Sequence, residues 1–184
     1  LPSHLKQTKS GLPLVVKPIS GGSALGVQLC TGADQVAPAL VDAFGYGDRV
    51  MLQQAVFGTE LAVTVIDLNG IATALPPVEI VPVGGIYDFH SRYTAGATEF
   101  FTPARLDPET LDRVCSYAVS VHEVLGLRAI SRVDLIVDSH GEIWFLEVNV
   151  APGMTETSLV PQAIVAAGLQ VGQVFSDLIY QAVR

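Results

Sequence analysis

Residues 131–149 read SRVDLIVDSHGEIWFLEVN. Two runs rich in Val, Ile, Leu, Phe and Trp flank a short polar tip, the pattern of a β-hairpin. Acids nevertheless interrupt both runs, at Asp134 and Glu147. If His140-Gly141 forms a two-residue turn, glycine accepts the positive φ such turns need. Asp134 then faces Glu147, Arg132 faces Asn149, and alternation puts all four side chains on one face. Directly opposed Cβ atoms lie only about 4.5–5.5 Å apart. Two ionised carboxylates that close repel, so either one is protonated or a cation sits between them. Asp, Glu and Asn together offer only oxygen donors, which suits a hard ion such as Mg²⁺ that completes its shell with water and phosphate. Arg132 on the same face would clamp an anion with permanently charged donors. The plain alternative is a solvated polar face. It accounts for Asp138 and Glu142 near the tip, but less well for Asp134 and Glu147, whose neighbours Val133, Leu135, Leu146 and Val148 are apolar.

The rest of the chain predicts mixed elements. GLPLVVKP (11–18) reads as a strand stopped by Pro18, SGGSALG (20–26) as a glycine-rich turn, and Val27 to Cys30 as a hairpin partner. Asp34 to Phe44 fits a helix with Val36, Ala37, Leu40 and Val41 on its apolar face. Strands follow at Arg49 to Gln54 and Leu61 to Asp67, separated by a turn at Gly58, and Asn69-Gly70 marks a hairpin into Ile71 to Ile80. Residues 82–104 carry no regular pattern and mix glycine with aromatic and polar side chains, the character of a functional lid. Asp107-Pro108 opens and Gly126 closes the clearest helix, and two further helical segments run to Arg184. Leu1 to Ser10 has no periodicity and begins abruptly, as if cut from a longer chain. Mostly antiparallel strand pairs with helices between them indicate an α+β fold.

Bulk properties narrow the function. In 184 residues, 49% are hydrophobic and 15% charged, which is the composition of a folded globular chain. A net charge of −8 argues against nucleic acid or an anionic membrane as partner. No apolar run approaches the ~18 residues that span a bilayer, and the polar start LPSHLKQTKS lacks a secretory pattern. The expected location is therefore the cytoplasm. Cys30 and Cys115 lack metal or redox spacing and read as buried free thiols; the four histidines are scattered, which disfavours zinc. Backbone N–H groups of a Gly-rich turn can nest an anion. Lys17, one of three lysines, precedes that turn and could neutralise phosphate. By itself the segment reads better as a plain hairpin turn, since it is no GxxxxGK[ST] loop.

Taken in order, Lys17-Pro18 with GGSALGV, Glu60 in FGTELAV, YDFHSRY with TEFFTPA, RVD, and LEVNVAPGMTETSLVP resemble the ATP-grasp domain of D-alanine–D-alanine ligases. The resemblance runs from about Gly11 to the final helices, and its last segment is the most specific. It implies an ATP-grasp fold with the nucleotide between two lobes, residues 1–56 belonging to the small lobe and 57–184 to the large one, with a mobile loop at 82–98. It implies that Lys17 contacts ATP phosphates, that Ser23 lies in the loop covering them, that Gln53, Gln54 and Val56 lie where adenine is read, and that Glu60 binds ribose. It implies that Asp134, Glu147 and Asn149 hold two Mg²⁺ ions, with Mn²⁺ as a substitute. Arg132 and the Gly153 N–H match groups that stabilise the transferred phosphoryl and the tetrahedral intermediate. Arg92 and Tyr93 fall in the closing loop, and Ser158 where the second D-alanine carboxylate is held. The chain departs from the family pattern at Gln53-Gln54, where Glu-Lys is usual, at Arg92 for Lys, and at Ala24 for serine.

The reaction so implied is ATP-dependent formation of D-alanyl-D-alanine through an acyl phosphate, for peptidoglycan precursors, by a full-length protein that is a homodimer. The family has a first-substrate domain that does not precede Leu1, so the chain alone is expected to be inactive. The alternatives are a ligase making D-alanyl-D-lactate or an unusual dipeptide, or a non-catalytic nucleotide-binding module.

Overall fold

The computed structural model describes residues 11–85 and 87–183. The aperiodic reading of Leu1 to Ser10 therefore lies outside the described residues. The described chain divides into two compact units. One comprises the residues up to Val56 with Pro82–Thr98; the other comprises Phe57–Val81 and everything from Glu99. Residues 82–98, which the sequence reading attached to the second unit, make their contacts with the first. Tyr93 bonds to Ser23 of the glycine-rich turn, and Val83 N–H to Ala97 C=O closes the segment on itself.

In the first unit β1 (Leu14–Pro18) lies between β2 (Gln28–Cys30) and β3 (Val50–Gln54), all antiparallel. The helix α1 (Ala33–Phe44) covers one face, burying Ala39 and Ala43 against Leu14, Val16 and Cys30. The packed face is thus Val36, Ala39, Leu40 and Ala43, an i, i+3, i+4, i+7 stripe. Expecting Ala37 and Val41 on it was wrong: Val41 is 76% exposed. Small alanines allow the closer approach to the sheet, and they outweigh the larger side chain one position away. The glycine-rich turn is tightened by Ser23 and Ala24, both at φ 56°, with Leu25 N–H bonded to Gly22 C=O. Gly26 is required here, because a Cβ would run into the Tyr46 ring.

The second unit is built on β4 (Gly58–Leu68), which pairs along its length with β8 (Ile130–Asp138) and also with β5 (Ile71–Ala74) and β6 (Val78–Pro82). The sheet order is β7-β6-β4-β8-β9, with β7 at Thr98–Phe101 and β9 at Ile143–Asn149. Leu61, Val63 and Val65 on one face of β4 join Val133, Leu135 and Val137 of β8 beneath Val114 and Ala118 of α3 (Pro108–Val124). The helices α4 (Leu159–Ala166) and α5 (Val171–Ala182) pack against β4 as well, so its residues 61–66 are buried on both sides.

Three sequence expectations change. Gly58 is the first residue of β4, not a turn, because a Cβ there would collide with the Val137 carbonyl of the neighbouring strand. Ile71 to Ile80 is two strands, since Pro76-Pro77 cannot donate to a ladder. The unpatterned 82–104 stretch contains a five-residue helix, α2 (Phe89–Tyr93), capped by Asp88, and the strand β7. The helix read from Asp107 and Gly126 forms as expected. Asp107 accepts from Thr110 N–H, Pro108 stands at the first turn, and Gly126 has φ +62°.

A carboxylate is also held inside this unit. Glu79 on β6 is buried and accepts the Arg105 guanidinium at 2.8 and 2.9 Å and the Arg105 N–H at 2.9 Å. Arg105 in turn stacks 3.5 Å from the Phe101 ring centroid. The Arg105 side-chain bonds hold the Glu79 carboxyl below the usual range. Because the folded pKa is depressed, the stabilisation is complete above the unfolded value of about 4.3 and is lost as pH falls through the lower folded value. A Glu79→Gln variant should therefore be less stable than the parent at pH 7, with the gap in urea midpoints narrowing steadily towards pH 3.

Candidate functional site

The β8–β9 hairpin closes differently from the two-residue turn expected. Gly141 at φ +78°, the bond from Gly141 N–H to Asp138 C=O and that from Asp138 N–H to Glu142 C=O make Ser139-His140-Gly141 a three-residue loop. Near the tip Val137 pairs with Ile143, Ile136 with Trp144 and Leu135 with Phe145. One extra residue on β9, Leu146, then forms a β-bulge, and beyond it Asp134 pairs with Glu147 and Arg132 with Asn149. The facing quartet deduced from the sequence is present, but a bulge sets its register and not the turn.

Arg132 and Asp134 stand two residues apart on one face of β8. The guanidinium grips the carboxylate with both arms, Nε donating to Oδ1 at 2.7 Å and Nη2 to Oδ2 at 2.8 Å. Both side chains are close to fully buried, Asp134 being 6% exposed, whereas Glu147 opposite is exposed. The fork supplies the positive charge that two facing carboxylates require. Across the other edge of β8, Ala62 pairs with Asp134 and Thr64 with Arg132, leaving small side chains beside the ion pair; Glu60 follows on the same face, opposite Ile136.

Asn149 Oδ1 accepts the Ala151 N–H at 3.0 Å, turning the chain out of β9. A second turn follows, in which Ser158 N–H bonds to Thr155 C=O. The Ser158 hydroxyl reaches back to Thr155 N–H at 3.1 Å and to Thr155 Oγ1 at 2.8 Å, and so makes no cap to α4. A Cβ at Gly153 would stand 2.9 Å from that hydroxyl. Glycine at 153 therefore permits the loop to close on Ser158. Thr155 was missed from the sequence; the local signal was the T-x-T-S spacing, which favours hydroxyl-to-backbone turns.

The remaining candidates lie in the first unit. Lys17 pairs with Met51 and Val15 with Gln53, so Lys17 and Gln53 share the sheet face turned away from α1. Gln54 pairs with Leu14 and belongs to the opposite side, which separates the roles of the two glutamines. Val56 follows β3 in irregular chain. Ser23 Oγ lies 2.7 Å from Tyr93 Oη, joining the glycine-rich turn to α2 across seventy residues of sequence. Asp88 anchors α2 by accepting from Ser91 N–H, which holds its carboxyl below the usual range. The Arg92 guanidinium lies 4.1 Å from the Tyr87 ring centroid.

Oxygen donors on one face make the quartet fit a hard divalent ion. Asp134 can receive the Arg132 fork and still offer lone pairs. Among the described residues no three His, Cys, Asp or Glu side chains gather as a ligand cluster. Two carboxylates and an amide form an incomplete shell that other oxygens would have to finish.

Arg132→Leu should cost about 3–5 kcal/mol in urea unfolding, because it strands a buried carboxylate opposite a second one. Replacing Asp134 by Leu in the same protein should restore most of that loss; an additive double variant would show that the pair is not coupled.

The family model described as D-ala D-ala ligase C-terminus matches residues 3–180. D-alanine–D-alanine ligase of Fervidobacterium nodosum is 38% identical over 181 residues, which cover 98% of this chain and 57% of that protein. Among solved structures, VanG D-Ala:D-Ser ligase from Enterococcus faecalis is similar with a TM-score of 0.81 at 30% identity, over 91% of this chain and 49% of that one. D-alanine–D-alanine ligase from Bacillus anthracis complexed with ATP gives 0.77 at 27% identity, over 96% and 54%. The chain spans about half the length of the relatives it matches.

Proposed function

The chain belongs to the D-alanine–D-alanine ligase C-terminal family and has the ATP-grasp fold, and from that premise we propose that the full-length protein is an ATP-dependent carboxylate–amine ligase that joins two D-alanines. The observation that carries the proposal is the Arg132–Asp134–Glu147–Asn149 quartet on one strand-pair face. A nucleotide-binding module would need the acids but would have little use for a buried, pre-oriented arginine.

The γ-phosphoryl group of ATP passes to the carboxylate of the first D-alanine, giving an acyl phosphate and ADP. The amine of the second D-alanine attacks the acyl carbon and phosphate leaves, forming the peptide bond. Lys17 and the backbone of the 20–26 turn bind phosphate oxygens, Gln53 and Val56 read the adenine, and Glu60 holds the ribose; Gln54, whose side chain lies on the other face of the sheet, takes part only through its backbone. Asp134, Glu147 and Asn149 would hold two Mg²⁺ ions, or Mn²⁺, which when bound offset phosphate charge. Arg132 neutralises the phosphoryl in flight, with its guanidinium already fixed by Asp134 so that little reorganisation is needed. The Gly153 N–H donates to the oxyanion of the tetrahedral intermediate, and Ser158 receives the carboxylate of the second substrate. Arg92 and Tyr93 belong to the segment that closes over the reactants and excludes water, and the Ser23–Tyr93 hydrogen bond is its fastening.

The product serves peptidoglycan precursor synthesis in the cytoplasm, by a homodimeric enzyme that touches neither nucleic acid nor membrane. Among the described residues no single helix is long and apolar enough to cross a membrane.

With ATP and Mg²⁺, the full-length protein should release phosphate when D-alanine is supplied and should accumulate the dipeptide, seen by mass spectrometry. Release driven by D-serine or D-lactate as acceptor, but not by D-alanine alone, would reassign the second substrate; D-serine is the competitor suggested by the likeness to VanG. Glu147→Gln should lower kcat by at least about a hundredfold. Unchanged turnover in that variant would remove Glu147 from the metal site.

A further inference from the structure

Strand β8 is held on both faces at consecutive residues. Arg132 projects to the site face. Ser131 projects to the opposite one, where its hydroxyl lies 2.8 Å from Nδ1 of His122 in the last turn of α3. Ser131 is 0% and His122 1% exposed. Their setting is apolar, with Val65 directly across from Ser131 and Val133, Val114 and Ala118 in the same cluster. His122 Nε2 is buried without a partner among the described residues. An apolar pair of similar shape would fill this space without leaving a ring nitrogen unsatisfied, so stability alone does not account for the choice.

A hydrogen bond supplies direction, which apolar contact does not. Apolar contact holds the strand against the helix without a directional constraint of its own, whereas a buried bond of this length tolerates only small displacement. His122 C=O also accepts the Leu127 N–H, where the chain leaves the helix for β8. The His122 ring then returns to bond the strand at Ser131, closing the α3–β8 connection on itself. The next residue along the strand is Arg132.

We propose that His122 is a positioning residue for Arg132: through Ser131 it fixes β8 along its own axis and so sets where the guanidinium stands relative to the reacting phosphoryl group. The proposal rests on the ligase reading of Arg132 given above. It concerns geometry in the transition state more than nucleotide affinity, because phosphate and adenine are assigned to other residues.

The test uses three variants of the full-length protein. His122→Leu and Ser131→Ala remove the bond while leaving a filled core; each should lower kcat about tenfold and leave KM for ATP within about twofold. His122→Asn places an amide near the Nδ1 position and should recover most of kcat, even though its smaller side chain packs worse and melts at lower temperature than His122→Leu. Rate and stability thus move in opposite directions across the pair Leu and Asn. If kcat is unchanged in His122→Leu and Ser131→Ala, or simply follows stability with Asn the worst, the assignment is overturned. Hydrogen–deuterium exchange of the amides at 131–134 gives a readout free of turnover. It should quicken in Ser131→Ala and His122→Leu and return in His122→Asn. If the parent protein turns over no D-amino acid, the ligase reading fails, and unchanged exchange would independently remove the His122 link.

Discussion

The centre of the second unit is a charge balance inside a sheet. Asp134 is buried in the middle of β8 and faces Glu147 across the hairpin. A carboxylate buried like Asp134, with a second one facing it, calls for a compensating cation. Arg132 supplies it from two residues away, with the bidentate geometry that only a guanidinium offers. Much of the surrounding architecture keeps that pair in place. The long pairing of β4 with β8, small Ala62 at its side and the α3 core beneath all restrict β8.

The two faces of β8 divide the work. Val133, Leu135 and Val137 secure the strand by burying apolar area against α3, while Arg132 and Asp134 form their ion pair on the other side. Strand alternation makes this division automatic, since each charged residue is flanked by two that point into the core. It also explains why the acids looked out of place in the sequence: their neighbours belong to a different face with a different purpose.

What the sequence disclosed depended on the range of the interaction. Asp134, Glu147, Arg132 and Asn149 were legible because alternation and facing pairs are short-range rules, and the Asp107 cap and Gly126 stop were legible for the same reason. The α1 face was misjudged because hydrophobicity favours Val41, while close packing favours Ala39 and Ala43. The five-residue α2 is too short to show a period. Ser23–Tyr93 and His122–Ser131 join residues brought together only by folding, and nothing in their local context signals the partner. Pro76-Pro77, by contrast, was visible and its effect on the strand was underestimated.

The bulge at Leu146 has a consequence for how such a hairpin can vary. The tip and the site lie on opposite sides of it, so each has its own register. A change in tip length alters the pairing of Val137 with Ile143, and gain or loss of one bulged residue can cancel that change before it reaches Glu147. The hairpin therefore contains a slack link: its outer end is free to drift in length and sequence while Arg132, Asp134, Glu147 and Asn149 keep their partners.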